Sequence, residues 1–166
     1  MALTKIKPLN GDIGIGINAK SRENIAQAVA QLLADTYTLQ LKTQYYHWNV
    51  MGEVFHSLHT LFGAQYEELS VAVDELAERI RALGHNTPGT FHEFTKLSSL
   101  KEDKYLPSDW RSMVANLTEA HELLARSTRA KIETAQKGGD EGTADLFIRR
   151  LQGHEKAAWF LRSHLQ

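Results

Sequence analysis

The most informative absence in this sequence is cysteine, since the chain contains none. Without thiols it can form neither a disulfide nor a zinc–thiolate site, and it has no cysteine nucleophile. Methionine is also scarce, with three residues, whereas there are eight histidines and twenty acidic residues. Nitrogen and oxygen donors are therefore plentiful and oxidisable sulfur is rare, a composition compatible with iron or peroxide chemistry.

Long apolar runs and an excess of one charge are absent as well. No stretch approaches the roughly 20 consecutive apolar residues of a membrane span, and the N-terminus lacks the basic-then-apolar layout of a signal peptide. The formal net charge of -1 leaves no overall basic field to attract nucleic acid. We therefore expect a cytoplasmic protein with no membrane segment, in which any DNA contact depends on a local patch.

What the sequence does contain is a set of long segments with helical periodicity. Apolar residues recur every three or four positions in each of them, as on one face of an amphipathic helix. Ser21 is predicted to cap the first helix and Gly84 to follow the second, while Ser108 or Asp109 caps the third. The segments run over about 21–49, 54–83, 109–137 and 141–164.

The connection between the second and third helices is long, spanning 85–107. It can carry the chain from one end of a bundle to the other, and 92–97 within it is predicted to form a short helix. A single crossover of this kind is typical of ferritin-like folds. We therefore predict an all-α protein, with a flexible N-terminal arm over 1–20 and a ferritin-like four-helix bundle over 21–166 that has a short extra helix.

Residues able to bind a metal collect on one face of the second helix. At 100° per residue, His59, Asp74 and Glu78 fall within about 100° of one another around the axis. His59 and Asp74 are nonetheless fifteen residues apart, which is roughly 22 Å along a helix. A metal ion binds such ligands at about 2.0–2.2 Å, so no single ion can contact both within one chain.

Two copies of this helix remove the difficulty. Paired antiparallel about a two-fold axis near residue 67 or 68, they bring His59 of one copy level with residue 76 of the other, between its two acidic residues. His47 comes alongside His59 from the end of the first helix. Each of the two sites then combines imidazoles with carboxylates, a set that suits iron, manganese or zinc. From spacing alone, a solvated acidic face with structural histidines stays open as the alternative.

A family resemblance is carried by residues 46–83, YHWNVMGEVFHSLHTLFGAQYEELSVAVDELAERIRAL. This stretch resembles the signature of the Dps family, the dodecameric mini-ferritins. It follows the pattern H-W-N-V-x-G-x-x-F-x-x-L-H and then D-x-x-A-E-R-I. Segments 96–102, 139–147 and 154–162 also resemble the family, so the resemblance covers nearly the whole chain.

The resemblance implies an iron-storage and detoxification protein with ferroxidase activity. Dps-like proteins form hollow dodecameric shells, oxidise Fe(II) with hydrogen peroxide or oxygen, and keep the ferric mineral inside. By this resemblance His47 and His59 are ligands from one subunit. Asp74 and Glu78 are ligands from its two-fold mate, and Glu78 bridges the two iron ions expected in each site.

Two further pairs of residues match the family outside the ligand set. Trp48 and Trp159 match tryptophans near its metal site, whereas Asp140 and Asp145 match acidic residues that line its iron-entry pores. Acidic side chains in a pore concentrate cations. The alternative for the two aspartates is that they complement the positive N-terminal end of a helix.

One position departs from the family pattern. The family usually has an acidic residue four positions after the second histidine, and here that residue is Gly63. The site is then short of one carboxylate, so it either binds the second metal more weakly or recruits another side chain. His164 is a candidate ligand, against the alternative of a frayed terminal residue. An added imidazole would also favour zinc, which would compete with iron.

Two other functions stay open beside iron oxidation. Many Dps-like proteins also bind DNA, so a nucleoid-associated protein with secondary or impaired iron oxidation is the main alternative. Lys5 and Lys7 are the two lysines among the first ten residues. Because DNA binding at physiological salt needs several phosphate contacts, we expect weak or absent DNA binding. A bundle with a decayed metal site is the third reading, and it follows from Gly63.

Overall fold

Five helices make up the described part of the chain. The computed structural model describes residues 6–9, 11 and 13–166, and no strand forms within them. The helices are α1 (Ala19–Asn49), α2 (Phe55–Ala82), α3 (Phe91–Leu97), α4 (Trp110–Lys137) and α5 (Glu141–Ser163). The predicted all-α architecture, with a short helix between the second and third long ones, is confirmed. None of the helices described is both long and apolar enough to cross a membrane.

Local sequence explains where the helices begin and end. Asp109 caps α4 by accepting a hydrogen bond from the backbone nitrogen of Ser112, and Gly84 follows α2 with a φ of +85°, both as predicted. The predicted cap at Ser21 is wrong. The first helix begins two residues earlier, at Ala19, because the side chain of Asn18 accepts a hydrogen bond of 2.9 Å from the Ser21 backbone nitrogen. Asparagine is as good a cap as serine.

The long helices pack as two antiparallel hairpins, α1 with α2 and α4 with α5. The second helix also runs antiparallel to the last one, since Glu68 pairs with Arg150 whereas Arg79, further along α2, pairs with Asp140 at the start of α5. Two apolar clusters follow one another along the bundle axis. One contains Ile25, Leu33, Leu76, Ile80 and Phe147, and the other contains Leu39, Leu58, Phe62, Leu117 and Leu161.

The long connection after α2 is held by one buried carboxylate. Asp35 of α1 accepts hydrogen bonds from the backbone nitrogens of Ser99, at 2.6 Å, and Leu100, at 3.3 Å. The short helix packs through Phe94 against Tyr37 of α1, with ring centroids 4.8 Å apart. The crossing segment therefore follows a fixed path to the start of α4.

The predicted N-terminal arm falls partly outside the described residues, which omit 1–5, 10 and 12. The backbone nitrogen of Leu9 donates to the carbonyl of Gly84, and that of Asn86 donates to the carbonyl of Lys7, both at 2.8 Å. These two bonds hold segment 6–9 against the end of α2. That part of the arm is therefore anchored on the bundle.

Candidate metal centre

His47 and His59 meet where the end of α1 packs against the start of α2. The Nδ1 atom of His47 lies 2.8 Å from the carbonyl oxygen of His59, and the Nδ1 atom of His59 lies 2.9 Å from the carbonyl oxygen of His47. A carbonyl oxygen only accepts, so each Nδ1 carries the hydrogen and donates it. With the hydrogen on Nδ1, the lone pair of each ring lies on Nε2, which is the tautomer that a metal ligand needs.

Aromatic contacts fix the orientation of these two rings. The imidazoles of His47 and His59 stack with centroids 3.8 Å apart and an angle of 21° between their planes. Phe55 stacks on His59 at 4.9 Å, and Tyr66 meets His47 edge to face at 5.1 Å. Ligands held in this way lose little rotamer freedom when a metal binds. The structure therefore places two imidazole donors side by side with their orientation already set.

Gly63 lies against the same imidazole. A Cβ atom on this residue would be 3.4 Å from Cε1 and 3.5 Å from Nδ1 of His47. These are ordinary van der Waals distances, so the position adjoins the pair of imidazoles and has room for a side chain. The carboxylate that the family pattern expects at this point would start beside the His47 ring.

Asp74 and Glu78 are both exposed on α2. The helix is continuous from Phe55 to Ala82, so the roughly 22 Å between the levels of His59 and Asp74 applies to the folded chain. Within the described residues, no three histidine or acidic side chains come together as a metal-binding group. A single chain therefore carries two separated halves of the predicted site, one of imidazoles and one of carboxylates.

The carboxylate half borders the start of α5. Glu78 lines an open groove of about 340 Å³ together with Glu75, Arg79 and Arg149. Asp145 is exposed and forms an ion pair with Arg149 one turn along the same helix. The groove thus combines acidic and basic groups at the end of the bundle opposite to the imidazoles.

Asp140 is 3% exposed and caps α5. Its carboxylate accepts a hydrogen bond from the Thr143 backbone nitrogen at 2.9 Å and two from the Arg79 guanidinium at 2.7 and 2.8 Å. Burial disfavours the ionised carboxylate, but the hydrogen bonds from Arg79 and Thr143 outweigh it and hold the pKa of Asp140 below its usual value. In the single chain Asp140 acts as a helix cap, and its role in a pore stays a prediction.

The remaining predicted residues are two exposed tryptophans and a histidine at the end of α5. Trp48 and Trp159 are 62% and 59% exposed, on α1 and α5 respectively. His164 is the C-cap of α5, and it forms no metal-binding group with the imidazoles of its own chain among the described residues. Its predicted role as a ligand would therefore need a second subunit or a rearrangement.

One network beside the site was not predicted from the sequence. The buried Tyr46, which precedes His47, donates its phenol hydrogen to Asp103, and Asn116 donates to the same phenol oxygen at 3.2 Å. Burial and then the hydrogen bond to Asp103 raise the pKa of Tyr46. Lys42 pairs with Asp103 at 3.2 Å. These bonds tie the end of α1 to the crossing segment and to α4. Because Asp103 lies 57 residues from Tyr46, no local sequence pattern predicts the contact.

The sequence of the chain matches a known protein family. The ferritin-like domain family matches residues 26–166. An uncharacterized low temperature-induced protein of Nostoc is 39% identical over 155 residues, which cover 93% of this chain and 87% of that protein. A DNA protection during starvation protein of Porphyromonas gingivalis is 32% identical over 149 residues, covering 90% of this chain and 93% of the relative.

A solved structure agrees with these matches. The Dps protein of Vibrio cholerae, described as a member of a broad superfamily of ferritin-like diiron-carboxylate proteins, superposes with a TM-score of 0.87. It is 31% identical, and the alignment covers 94% of this chain and 100% of that one. The likeness therefore extends over nearly the whole chain.

Proposed function

We propose that this chain, which belongs to the Dps family of ferritin-like proteins, oxidises Fe(II) at sites shared between two subunits and stores the ferric product inside a dodecameric shell. The observation that carries the proposal is the reciprocal pairing of His47 and His59, in which each Nδ1 donates to the other residue's carbonyl oxygen. Both Nε2 lone pairs are thereby kept available for a metal.

The face of α2 that carries the acids supports a second copy as the partner. Val71, Asp74 and Glu78 follow one another at helical spacing, and Val71 is 63% exposed in the middle of the helix. At the imidazole end, Met51 and Phe55 are exposed as well. Val71 lies on the same face of α2 as the two acids, about 60° or less from each around the axis. A two-fold pairing of α2 covers this face and brings the carboxylates of one copy to the imidazoles of the other.

The donor set fits the chemistry of iron oxidation. Two Fe(II) ions and one hydrogen peroxide, with two protons, give two Fe(III) ions and two water molecules. Carboxylates from Asp74 and Glu78 stabilise the higher charge of Fe(III), and Glu78 can bridge two ions so that both electrons leave together. The neutral imidazoles complete the ligand set. Oxygen is the second candidate oxidant.

Gly63 makes this site different from the family pattern. With no carboxylate beside the His47 ring, the second iron is bound more weakly unless another side chain takes the place. His164 of a neighbouring subunit is our candidate for that side chain. A site richer in imidazole favours zinc, so we expect zinc to compete with iron there.

We propose that iron enters the shell past acidic residues at the start of α5. Asp145 is exposed and can attract cations, although its pairing with Arg149 reduces the local negative charge. Asp140 contributes to this entry site indirectly, because its buried ion pair with Arg79 fixes the start of α5 against α2. We place Trp48 and Trp159 near the assembled metal site.

DNA protection is the second candidate function, because several of the similar proteins, including the one from Porphyromonas gingivalis, are named for it. The described part of the N-terminal arm does not favour it. Lys20 pairs with Glu23 at 3.0 Å, and segment 6–9, which includes Lys7, is held against the bundle. We expect weak or absent DNA binding. Stoichiometric retardation of DNA in a gel at about 150 mM salt would favour the second function instead.

Mixed assemblies test the shared site directly. One variant loses the imidazoles (His47→Ala with His59→Ala), and the other loses the carboxylates (Asp74→Ala with Glu78→Ala). Each alone should oxidise Fe(II) no faster than buffer in stopped-flow measurements with peroxide. When they are co-expressed, half of the two-fold pairs are mixed and each mixed pair has one complete site, so about a quarter of the wild-type rate should return.

The control pair carries matched changes outside the ligand set and outside α2, His92→Ala and Glu119→Ala, both at exposed positions. These variants should keep the wild-type rate, alone or mixed. Mixed ligand variants that stay inactive, while assembling normally in analytical ultracentrifugation, would show that the four residues do not form a shared site. Wild-type protein that oxidises no faster than buffer would favour the decayed bundle.

A further inference from the structure

A pair of histidines is buried between α4 and α5, away from the metal centre. His121 is 2% exposed and His154 is fully buried. Their Nδ1 atoms lie 3.1 Å apart, and the ring centroids are 5.3 Å apart with 51° between the planes. Two ring nitrogens facing each other at this distance share one hydrogen, so one ring donates and the other accepts. The contact exists only while the accepting nitrogen keeps its lone pair.

The surroundings of the pair offer no negative charge to a protonated ring. Among the described residues, no carboxylate is hydrogen-bonded or ion-paired to either imidazole. From α5 the guanidinium of Arg150 faces both rings, and it is bound to Glu68 of α2. From α1, Lys42 lines a cleft beside Ala120 of α4 and is paired with Asp103. The local field therefore opposes a second positive charge.

The polar atoms around the pair are poorly satisfied. The Nε2 atoms of His121 and His154 are buried without a hydrogen-bond partner, and so are both side-chain polar atoms of Gln65. Gln65 lies one turn before Glu68 on α2, and His154 lies one turn after Arg150 on the antiparallel α5. The ion pair between Glu68 and Arg150 therefore places Gln65 and His154 at the same level. Uncompensated polar atoms in a core weaken it locally.

We propose that His121 and His154 form an acid-sensitive latch that holds α4 to α5 at neutral pH and opens when the rings take up protons. Protonation of the accepting ring replaces a hydrogen bond with two N–H groups facing each other. Protonation of both puts two positive charges beside Arg150 in the interior. Either change separates the two helices at this level. The part of α5 beyond Gly153 then packs less tightly against the rest of the bundle.

The sign of the pH effect follows from burial. Burial, reinforced by Arg150, lowers the pKa of His121 to about 3. Burial also lowers the pKa of His154 well below its usual value, reinforced by His121 and Arg150. The closed form thus binds fewer protons than the open form below about pH 6.5, the ordinary histidine pKa. The closed state is fully favoured above that pH, and each histidine favours opening by about tenfold for every pH unit below it.

Opening of the latch has a consequence for the metal centre, which rests on the proposed function. His59 and Gln65 lie less than two turns apart on α2, so loss of α5 at this level loosens the helix that positions the imidazole. We therefore expect a shell loaded with ferric mineral to lose iron faster in mild acid than its latch variants do.

Hydrogen exchange in the assembled protein tests the latch without reference to iron. Mass spectrometry of the Cε1–H exchange of each histidine gives its titration midpoint. The midpoints of His121 and His154 should fall well below that of the exposed His92. Amide exchange in peptides covering 117–124 and 151–161 should also accelerate as the pH falls to about 4.5, relative to the same peptides in a latch variant at the same pH.

The latch variant is His121→Leu with His154→Leu, which keeps apolar volume and removes both titrating rings. His154→Gln is the second variant, because its amide preserves a hydrogen bond and cannot titrate. Exposed His92→Gln is the matched control and should behave as wild type. Ordinary midpoints near pH 6.5 for the buried pair, or acid-induced amide exchange that is equal in wild type and His154→Gln, would overturn the proposal.

Discussion

Arg79 forms a two-pronged ion pair with Asp140, with its Nη2 atom 2.7 and 2.8 Å from the two carboxylate oxygens. The same guanidinium donates through Nε to the Thr143 hydroxyl at 2.7 Å. Arg79 follows Glu78 on α2, whereas Asp140 and Thr143 form the first turn of α5. The pair therefore joins the helix that carries the candidate carboxylate ligands to the helix that carries the candidate entry residues.

Replacement of Arg79 with methionine should destabilise the fold substantially. Methionine keeps much of the side-chain volume but leaves the Asp140 carboxylate buried without its cation, which costs about 2–4 kcal/mol. Chemical denaturation at pH 7 measures the loss. Arg149→Met, which breaks the exposed pair with Asp145, is the control and should change stability by about 0.5 kcal/mol or less. Equal effects of the two variants would contradict the structural role of Arg79.

The contribution of this pair should also depend on pH. Because the pKa of Asp140 is held below its usual value in the folded protein, the stabilisation is present above about pH 4, the ordinary aspartate pKa. It is lost as the pH falls through the lower, folded value. The difference in unfolding free energy between wild type and Arg79→Met should thus shrink in strong acid, and a difference that grows there would contradict the assignment.

Substitution at Gly63 separates helix stability from metal chemistry. A side chain at this position meets the His47 ring only at ordinary contact distance, so Gly63→Ala should stabilise α2 by about 0.5–1 kcal/mol and leave Fe(II) oxidation unchanged. Gly63→Glu adds a carboxylate beside the imidazole. It should raise the rate of Fe(II) oxidation and increase the affinity for the second iron ion. If both substitutions change oxidation equally, the missing carboxylate is not what sets the rate.

Much of the fold follows from local patterns in the sequence. The helical periodicity of each long segment is a property of neighbouring residues, so all four long helices and the short one were predicted with ends correct to within about two residues. The cap of α1 was misplaced because Asn18 and Ser21 are both good capping residues. Which of them caps depends on the path of the preceding chain, and that path is set by tertiary contacts.

The site was predictable to a lesser depth. Spacing on α2 shows that no single ion can contact both His59 and Asp74 within one chain, and the family motif supplies the candidate ligands, which stay a prediction. The hydrogen bonds that set the tautomers of His47 and His59 could not be predicted, because they depend on how closely two helix ends approach. The buried pair His121 and His154 was missed for the same reason, since its members are 33 residues apart and lie on different helices.

Asp103 should prove to be the residue that fixes the crossing segment beside the site. Its carboxylate accepts from the buried Tyr46 phenol and pairs with Lys42, so Asp103→Ala leaves the phenol hydrogen without an acceptor and Lys42 without its ion pair, and should cost about 1–3 kcal/mol. Denaturant titration measures the loss, and Glu102→Ala at the exposed neighbouring position is the control. Stability equal in the two variants would show that the network does not anchor the segment.

Val71 offers a test of assembly that is independent of the metal ligands. Its side chain is 63% exposed in the single chain, so Val71→Lys should leave the fold of the subunit almost unchanged. In a two-fold pairing of α2 about an axis near residues 67 and 68, however, the lysine is buried against the mate, where its charge loses hydration and its longer side chain keeps the helices apart. Sedimentation should then show dissociated subunits, and Fe(II) oxidation should be lost although all four predicted ligands are present.

Two further variants make this result specific. Val71→Ala keeps the face apolar and should assemble and oxidise iron as wild type does. Tyr105→Lys places the same charge at an 84% exposed position in the crossing segment, outside the α2 face, and should leave the two-fold pair intact. A Val71→Lys protein that stays assembled and active would show that α2 does not pair in this way. A metal site shared by the imidazole and carboxylate halves would then need a different contact, since roughly 22 Å of continuous helix separates them within each chain.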